Sequence, residues 1–311
     1  MSATAGKNKA IVILGPTGSG KTQLALKLAE QLSGEIVSAD SRQIYKYLNI
    51  GTAKASVLER KKIPHYLIDL AEPDHQVYLP QYQKLALDTI DEIISRKKLP
   101  FLVGGTGLYL SAVIENYQIP EVAPQPELRK QLEQLPTEEL ILKLKQLDPE
   151  AAQLIYQNNK IKLIRAIEFA QVSGQAFFGS QSKAEPRHDY LLIGLEVDRE
   201  ELYRRINQRV DQMIEQGLEQ EVRSLVQKFD WKAPAMMSIG YREWQPYFSG
   251  QKGRSEIIEE IKKDTRNYAK RQMTWFWRME KTNTINWVVN PEEATELISD
   301  FLARTKAPHH Q

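Results

Sequence analysis

The densest chemistry in this chain lies in Gly15, Pro16, Thr17, Gly18, Ser19, Gly20, Lys21 and Thr22, which satisfy G-x-x-x-x-G-K-[ST] at every specified position. Glycines at 15, 18 and 20 allow a tight turn whose consecutive N–H groups point inward, and a following helix would add its N-terminal partial charge. Lys21 supplies a mobile full charge for a terminal phosphate, and the Thr22 hydroxyl is placed to ligate Mg²⁺. The pattern selects a phosphate without saying which molecule carries it. Asp40-Ser41-Arg42-Gln43 is a second polar cluster, and its carboxylate could be a general base, a metal ligand or a helix cap. Gly104-Gly105-Thr106-Gly107 is a second glycine-rich turn, bearing the Thr106 hydroxyl. From Lys262 to Lys281 seven basic and two acidic residues interleave with Tyr268, Trp275, Phe276 and Trp277. Neighbouring cations repel on an isolated helix, so Lys270 and Arg271 point to an anionic partner, unless this side is merely a solvated face.

Elements of the right kind flank these residues. Ile11–Leu14 reads as a buried strand and 23–29 as a helix, so the phosphate loop joins strand to helix. A short strand over 35–39 delivers Asp40 at its carboxyl end, and 64–69 is a candidate third strand. An amphipathic helix carries Tyr82, Ala86, Ile90, Ile93 and Ile94, and the strand from Pro100 runs into Gly104. In a parallel sheet built this way, ligands lie at the carboxyl ends of the strands, which brings Asp40 and Thr106 toward the phosphate loop. Prolines at 120, 124, 126 and 136 then punctuate short charged segments, and Asp148-Pro149 reads as an N-cap with proline at N1. Residues 120–188 read as a helical insertion, with a helix over 160–172 that stops near Gly174; strand character resumes at 190–197. Asp198 and Glu201 fit a capping box opening a long helix to Gly217, a further helix carries Arg223, and 284–289 and 291–302 read as a last strand and helix. The expected fold class is α/β: a P-loop, NTPase-like parallel core over 1–119 and 189–311, interrupted by an all-helical insertion.

Composition narrows the function. With 42 Lys+Arg against 40 Asp+Glu there is no global pull toward polyanions, so nucleic-acid affinity must come from local patches. The absence of cysteine excludes disulfides, thiolate zinc sites and a cysteine nucleophile. No apolar run approaches a membrane span, and residues 1–9 lack a signal peptide's apolar core, so the expectation is a soluble, cytoplasmic protein.

Read together, GPTGSGKT at 15–22, DSRQIYK at 40–46, GTAK at 51–54, LVGGTGLYL at 102–110, IGYRE at 239–243 and TRNYAKRQMTWFWR at 265–278 make the chain resemble the tRNA dimethylallyltransferases. The resemblance spans nearly the whole chain. It implies a transferase that moves a dimethylallyl group from dimethylallyl diphosphate to the exocyclic amine of the adenosine 3′ to the anticodon, with Mg²⁺; a monomer is expected. It also implies that Asp40 is the base toward that amine, that Ser41, Arg42 and Gln43 flank the extruded nucleotide, and that Thr106 hydrogen-bonds near the reaction channel. Arg223 would join Lys21 and Thr22 on the diphosphate. Arg129, the stretch Ile161 to Arg165 including Lys162, and Gly240, Tyr241 and Arg242 would meet the tRNA anticodon stem-loop. One departure stands out: the family usually has Asn-Asp and then an arginine before Arg165, whereas this chain has Asn158-Asn159 and Lys162. Lysine cannot reproduce arginine's fork.

The residues suit this chemistry. Breaking an allylic carbon–oxygen bond loads negative charge on the departing diphosphate, which the loop is built to stabilise, and the attacking amine must lose a proton. Two other classes use some of the same residues. A P-loop kinase or NTPase would hold ATP in the loop and use Asp40 on metal or an acceptor hydroxyl; an RNA-binding protein could carry the loop as a vestige.

Overall fold

The computed structural model describes residues 7–119, 122, 125–155, 159–177 and 182–304. The chain runs β1 Lys9–Leu14, α1 Lys21–Gln31, β2 Gly34–Ala39, α2 Val57–Lys62, β3 His65–Tyr66, α3 Leu79–Ser95, β4 Leu99–Gly104 and α4 Gly107–Ile114. There follow β5 Tyr117–Gln118, α5 Pro126–Gln134, α6 Thr137–Leu147, α7 Pro149–Leu154, α8 Lys160–Ser173 and β6 Ser182–Lys183. It ends with β7 Asp189–Leu195, α9 Arg199–Glu215, α10 Leu218–Val226, α11 Gln245–Phe248, α12 Arg254–Met279, β8 Ile285–Val288 and α13 Pro291–Ala303.

Strands β1, β2 and β4 are apolar and buried nearly end to end, which requires both faces of their sheet to be covered. The sheet is parallel throughout, in the order β3-β2-β4-β1-β7-β8. Tyr82, Leu110, Val222 and Phe276 pack one face, and Leu24, Leu28, Ile298 and Phe301 pack the other. Leu14 is in register with Gly104 on one side and Gly194 on the other, and Gly104 with Ala39. The loops that begin at Gly15, Asp40 and Gly105 therefore leave three adjacent strands at one level, the level at which parallel sheets bind ligands.

The third strand is shorter than the sequence suggests. Leu67 and Asp69 take positive φ of 62° and 57°, which breaks the extended run after Tyr66. Asp69 instead receives Lys54 and Arg60, each at 2.7 Å. At α9 the Asp198 side chain accepts the Glu200 and Glu201 N–H groups, while Glu201 turns outward to Arg204 and Arg205 rather than back to the cap.

The chain divides into two compact units, Met1–Ile114 with Pro186–Gln311, and Glu115–Glu185. The second has its own core, built on Leu132, Leu140, Leu144, Leu163 and Ile167. Asp148 caps α7 by accepting the Ala151 N–H at 2.9 Å, and Gly174 ends α8 at φ 66°. Besides its helices this unit contains the antiparallel pair β5 and β6. No helix among the described residues is long and apolar enough to cross a membrane.

Candidate active site

The phosphate loop closes between β1 and α1 with the Ser19 N–H donating to the Pro16 carbonyl at 3.2 Å. Gly18 and Gly20 hold φ of 83° and 93°, a region closed to most side chains. Helix α1 then starts at Lys21 with no side-chain cap, so its first N–H groups remain for a ligand. The Lys21 ammonium donates to the Pro16 carbonyl at 3.3 Å, which folds it back over the loop.

Lys21, Thr17 and Thr22 line one cavity of about 290 Å³ together with Asp40, Ser41, Arg42 and Gln43. Asp40 is held by one oxygen: Oδ1 accepts the Arg42 N–H at 2.8 Å and the Gln43 N–H at 3.3 Å. No regular helix follows Asp40, so the bond closes a turn. Asp40 Oδ2 has no hydrogen-bond partner among the described residues. The carboxylate is thus both fixed and available. The Gln43 side chain is engaged with the Ser38 hydroxyl and the Thr52 and Ala53 carbonyls, and the Arg42 guanidinium donates to the Pro234 carbonyl at 3.0 Å.

Arg209, on α9, completes the cationic side of the cavity. Burial, and after it the Arg209 charge, lowers the Lys21 pKa to about 8, against the opposite pull of Asp40. Burial also lowers Arg209 itself, which Asp40 partly offsets. Two cations crowded beside one carboxylate favour the arrival of a further anion.

Helix α12 roofs the cavity with Tyr268, Arg271 and Gln272. Burial pushes the Tyr268 phenol up to about 12, against a smaller opposite pull from the neighbouring Thr106 hydroxyl, and Arg271 lies 5.7 Å over its ring. Thr106 stands behind the cavity wall and does not line it. Its Oγ1 accepts the Ser41 N–H at 3.0 Å and donates to the Ser41 hydroxyl at 3.4 Å, so it holds in place residues that do face the cavity.

Residues 43–279 match the IPP transferase family model. The chain belongs to the IPP transferase family. It is 46% identical to the tRNA dimethylallyltransferase of Acetivibrio thermocellus over 284 residues, 89% of this chain and 91% of that protein. It is 46% identical to that of Halothermothrix orenii over 305 residues, 94% of this chain and 93% of that one. Among solved structures, the full-length tRNA isopentenylpyrophosphate transferase of Bacillus halodurans superposes with a TM-score of 0.70 at 37% identity, covering 96% of both chains. A eukaryotic dimethylallyltransferase acting on tRNA gives 0.84 at 27% identity, covering 95% of this chain and 80% of that one.

The transferase departs from the sequence reading at two residues. Arg223, expected beside Lys21, does not line the cavity: it pairs with Glu219 at 3.0 Å, lies over the Phe248 ring at 4.6 Å and is half-exposed. Arg209 occupies the position expected of Arg223. Tyr241, expected at the RNA, is fully buried and donates to Glu221 at 2.6 Å. Glu221 also accepts N–H groups of Asn49, Ile50 and Gly51, so this pair anchors the loop that forms one cavity wall. Thr106, expected to hydrogen-bond near the reaction channel, bonds Ser41 at the edge of the cavity without lining it. Neighbouring Gly240 and Arg242 do line the cavity, Arg242 held by Glu243 and Asp264.

In the second unit, Arg129 and Arg165 converge on the buried Glu168, which also accepts the Gln125 N–H at 2.7 Å. Arg129 is bidentate, its Nε and Nη2 each at 2.8 Å. These bonds hold the Glu168 pKa low against its burial. Ile161 is 84% exposed, an apolar side chain presented to solvent, and Lys162 beside it is exposed too. Asn159 caps α8 by accepting the Lys162 N–H. Asn158 lies outside the described residues. On α12, Lys262 is tied to Asp211 and Glu259 and Arg266 to Asn207, whereas Lys270 and Arg271 are exposed. Phe276 is fully buried, while Trp275 and Trp277 are 37% and 57% exposed.

Proposed function

We propose that this transferase holds the diphosphate of dimethylallyl diphosphate in the phosphate loop and the exocyclic amine of the adenosine 3′ to the anticodon against Asp40. The supporting observation is that a single cavity is lined by Lys21 and Thr22 on one side and by a fixed carboxylate with one unengaged oxygen on the other. The amine nitrogen attacks the allylic carbon as its bond to the diphosphate oxygen breaks, and that bond's electron pair leaves with the diphosphate. Lys21, Arg209 and the loop N–H groups face the charge as it forms. Asp40 Oδ2 accepts the amine proton, while the Arg42 and Gln43 N–H groups keep the carboxylate oriented. The base must leave its stack to reach this depth. Ser41, Gln43 and Gly240 would border the extruded nucleotide.

Among the described residues no three His, Cys, Asp or Glu side chains cluster as a metal cage. The Thr22 hydroxyl, in the cavity beside Lys21, would instead hold Mg²⁺ together with phosphate oxygens and water, as that ion prefers. Bound there, Mg²⁺ would neutralise part of the diphosphate charge. Lys270 and Arg271, with Arg129, Ile161, Lys162 and Arg165 of the second unit, would carry the tRNA contacts, and the enzyme would act as a monomer in the cytoplasm. Incubation with dimethylallyl diphosphate and undermodified tRNA should release diphosphate only when RNA is present. ATP turnover without RNA would instead favour the kinase reading.

A lysine whose pKa is lowered to about 8 is charged below that pH and neutral above it. kcat/KM for the donor should therefore fall as pH rises through about 8, and kcat should fall less, because bound diphosphate retains the proton on Lys21. A flat kcat/KM profile from pH 7 to 9.5 would remove Lys21 from donor capture. On the RNA side, changing Lys270 and Arg271 together to Ala should weaken tRNA binding and reduce the slope of log affinity against log salt by up to about 1.4, at about 0.7 for each single-strand phosphate no longer neutralised. An unaltered slope would make both residues solvated surface.

A further inference from the structure

We infer that Gln272 is a positioning residue for the donor site, holding the phosphate loop in register with the turn after β4. Gln272 is on α12, yet it is buried and its amide points between two loops distant in sequence. Its Oε1 accepts the N–H of Thr17, inside the phosphate loop, at 2.9 Å. Its Nε2 donates to the Gly105 carbonyl at 2.8 Å. One rigid amide thus ties β1's loop to β4's loop, and the inference rests on the reading that the phosphate loop holds the donor diphosphate.

The neighbouring glycines show how closely α12 is seated. A Cβ at Gly105 would come within 2.2 Å of Gln272 Nε2, and one at Gly107 within 2.1 Å of the Trp275 ring. Trp275 also donates to the Ser111 hydroxyl at 3.2 Å, and Tyr268, one helical turn before Gln272, lies beside Thr106. The turn Gly104–Gly107 is therefore a seat for α12. Of the three side chains on it, Gln272 alone also reaches the phosphate loop. Because it occupies the Thr17 N–H, it fixes which way that peptide faces, while the uncapped α1 N-terminus remains directed at a ligand. Without this bond the first half of the loop has the Ser19 and Lys21 bonds to the Pro16 carbonyl to define it. A loop that must be ordered by its ligand binds that ligand more weakly.

The test uses the full-length enzyme, with inorganic diphosphate and Mg²⁺ as the probe. Gln272→Met keeps length and apolar packing but removes both bonds. It should raise the inhibition constant for diphosphate and KM for the donor by about tenfold, the size of the one bond that reaches the phosphate loop, with tRNA affinity near the parent value. Gly105→Ala displaces the amide without altering it and should reproduce the effect; the double variant should be no worse than the more impaired single one. The second variant keeps the inference testable if the first does not fold. A Cβ at 105 would also stand 3.2 Å from the Gly15 carbonyl, so additive effects in the double variant would mean that Gly105 acts without Gln272, and would overturn the inference. A parental inhibition constant in a folded Gln272→Met would overturn it as well. Lys21→Ala, run alongside, separates two failures: if it too leaves diphosphate inhibition unchanged, the donor site itself is misplaced.

Discussion

Asp40→Asn should yield a folded enzyme that binds tRNA normally and transfers the prenyl group about 10²- to 10⁴-fold more slowly in a single turnover. The two oxygens of this carboxylate have different tasks. Oδ1 accepts two backbone N–H groups, and an asparagine Oδ1 accepts them equally well, so the turn at 40–43 and the thermal midpoint should survive. Oδ2, the oxygen offered to the adenine amine, becomes an amide that cannot take a proton. Single-turnover conditions keep slow tRNA release from masking the step. An undiminished chemical step in a variant with a parental midpoint would leave Asp40 as a turn-former only.

Lys21→Ala should lower the transfer rate by about 10²- to 10³-fold, as removal of one group facing the charge that forms in a transition state commonly does. Arg209→Ala should act in the same direction, because Arg209 shares the cavity and its charge already acts on Lys21. Arg223→Ala should leave the rate near the parent value. It removes a half-exposed pair with Glu219, of a kind that contributes little, and a contact over the Phe248 ring, and neither partner lines the cavity. A large drop in Arg223→Ala with none in Arg209→Ala would reverse the assignment of the two arginines. Filter binding of tRNA should hardly change in any of the three, and an equal loss of tRNA affinity in Lys21→Ala would count against its place on the donor.

The phosphate loop, the acid after β2 and the glycine turn after β4 were legible in the sequence because each depends on short-range spacing. A G-x-x-x-x-G-K-[ST] run between an apolar strand and a helix leaves few conformations open, and parallel order then sets the carboxyl ends of β1, β2 and β4 side by side. The apolar run of β1 and the period of α3 were plain for the same reason. What lay beyond reach was the direction of single side chains on helices that look alike. Arg209 and Arg223 both occupy amphipathic helices rich in charge, and only the packing of α9 against α12, with Val210 and Ile206 directed inward, turns Arg209 into the cavity while α10 turns Arg223 onto Phe248. Tyr241 read as an RNA contact, but its ring packs in the core and its hydroxyl donates to Glu221, twenty residues earlier in the chain. Gln272 looked like one more polar residue of a basic helix. Its two partners lie 255 and 167 residues away, distances across which spacing in a sequence carries no information and only the closed fold can bring an amide to them.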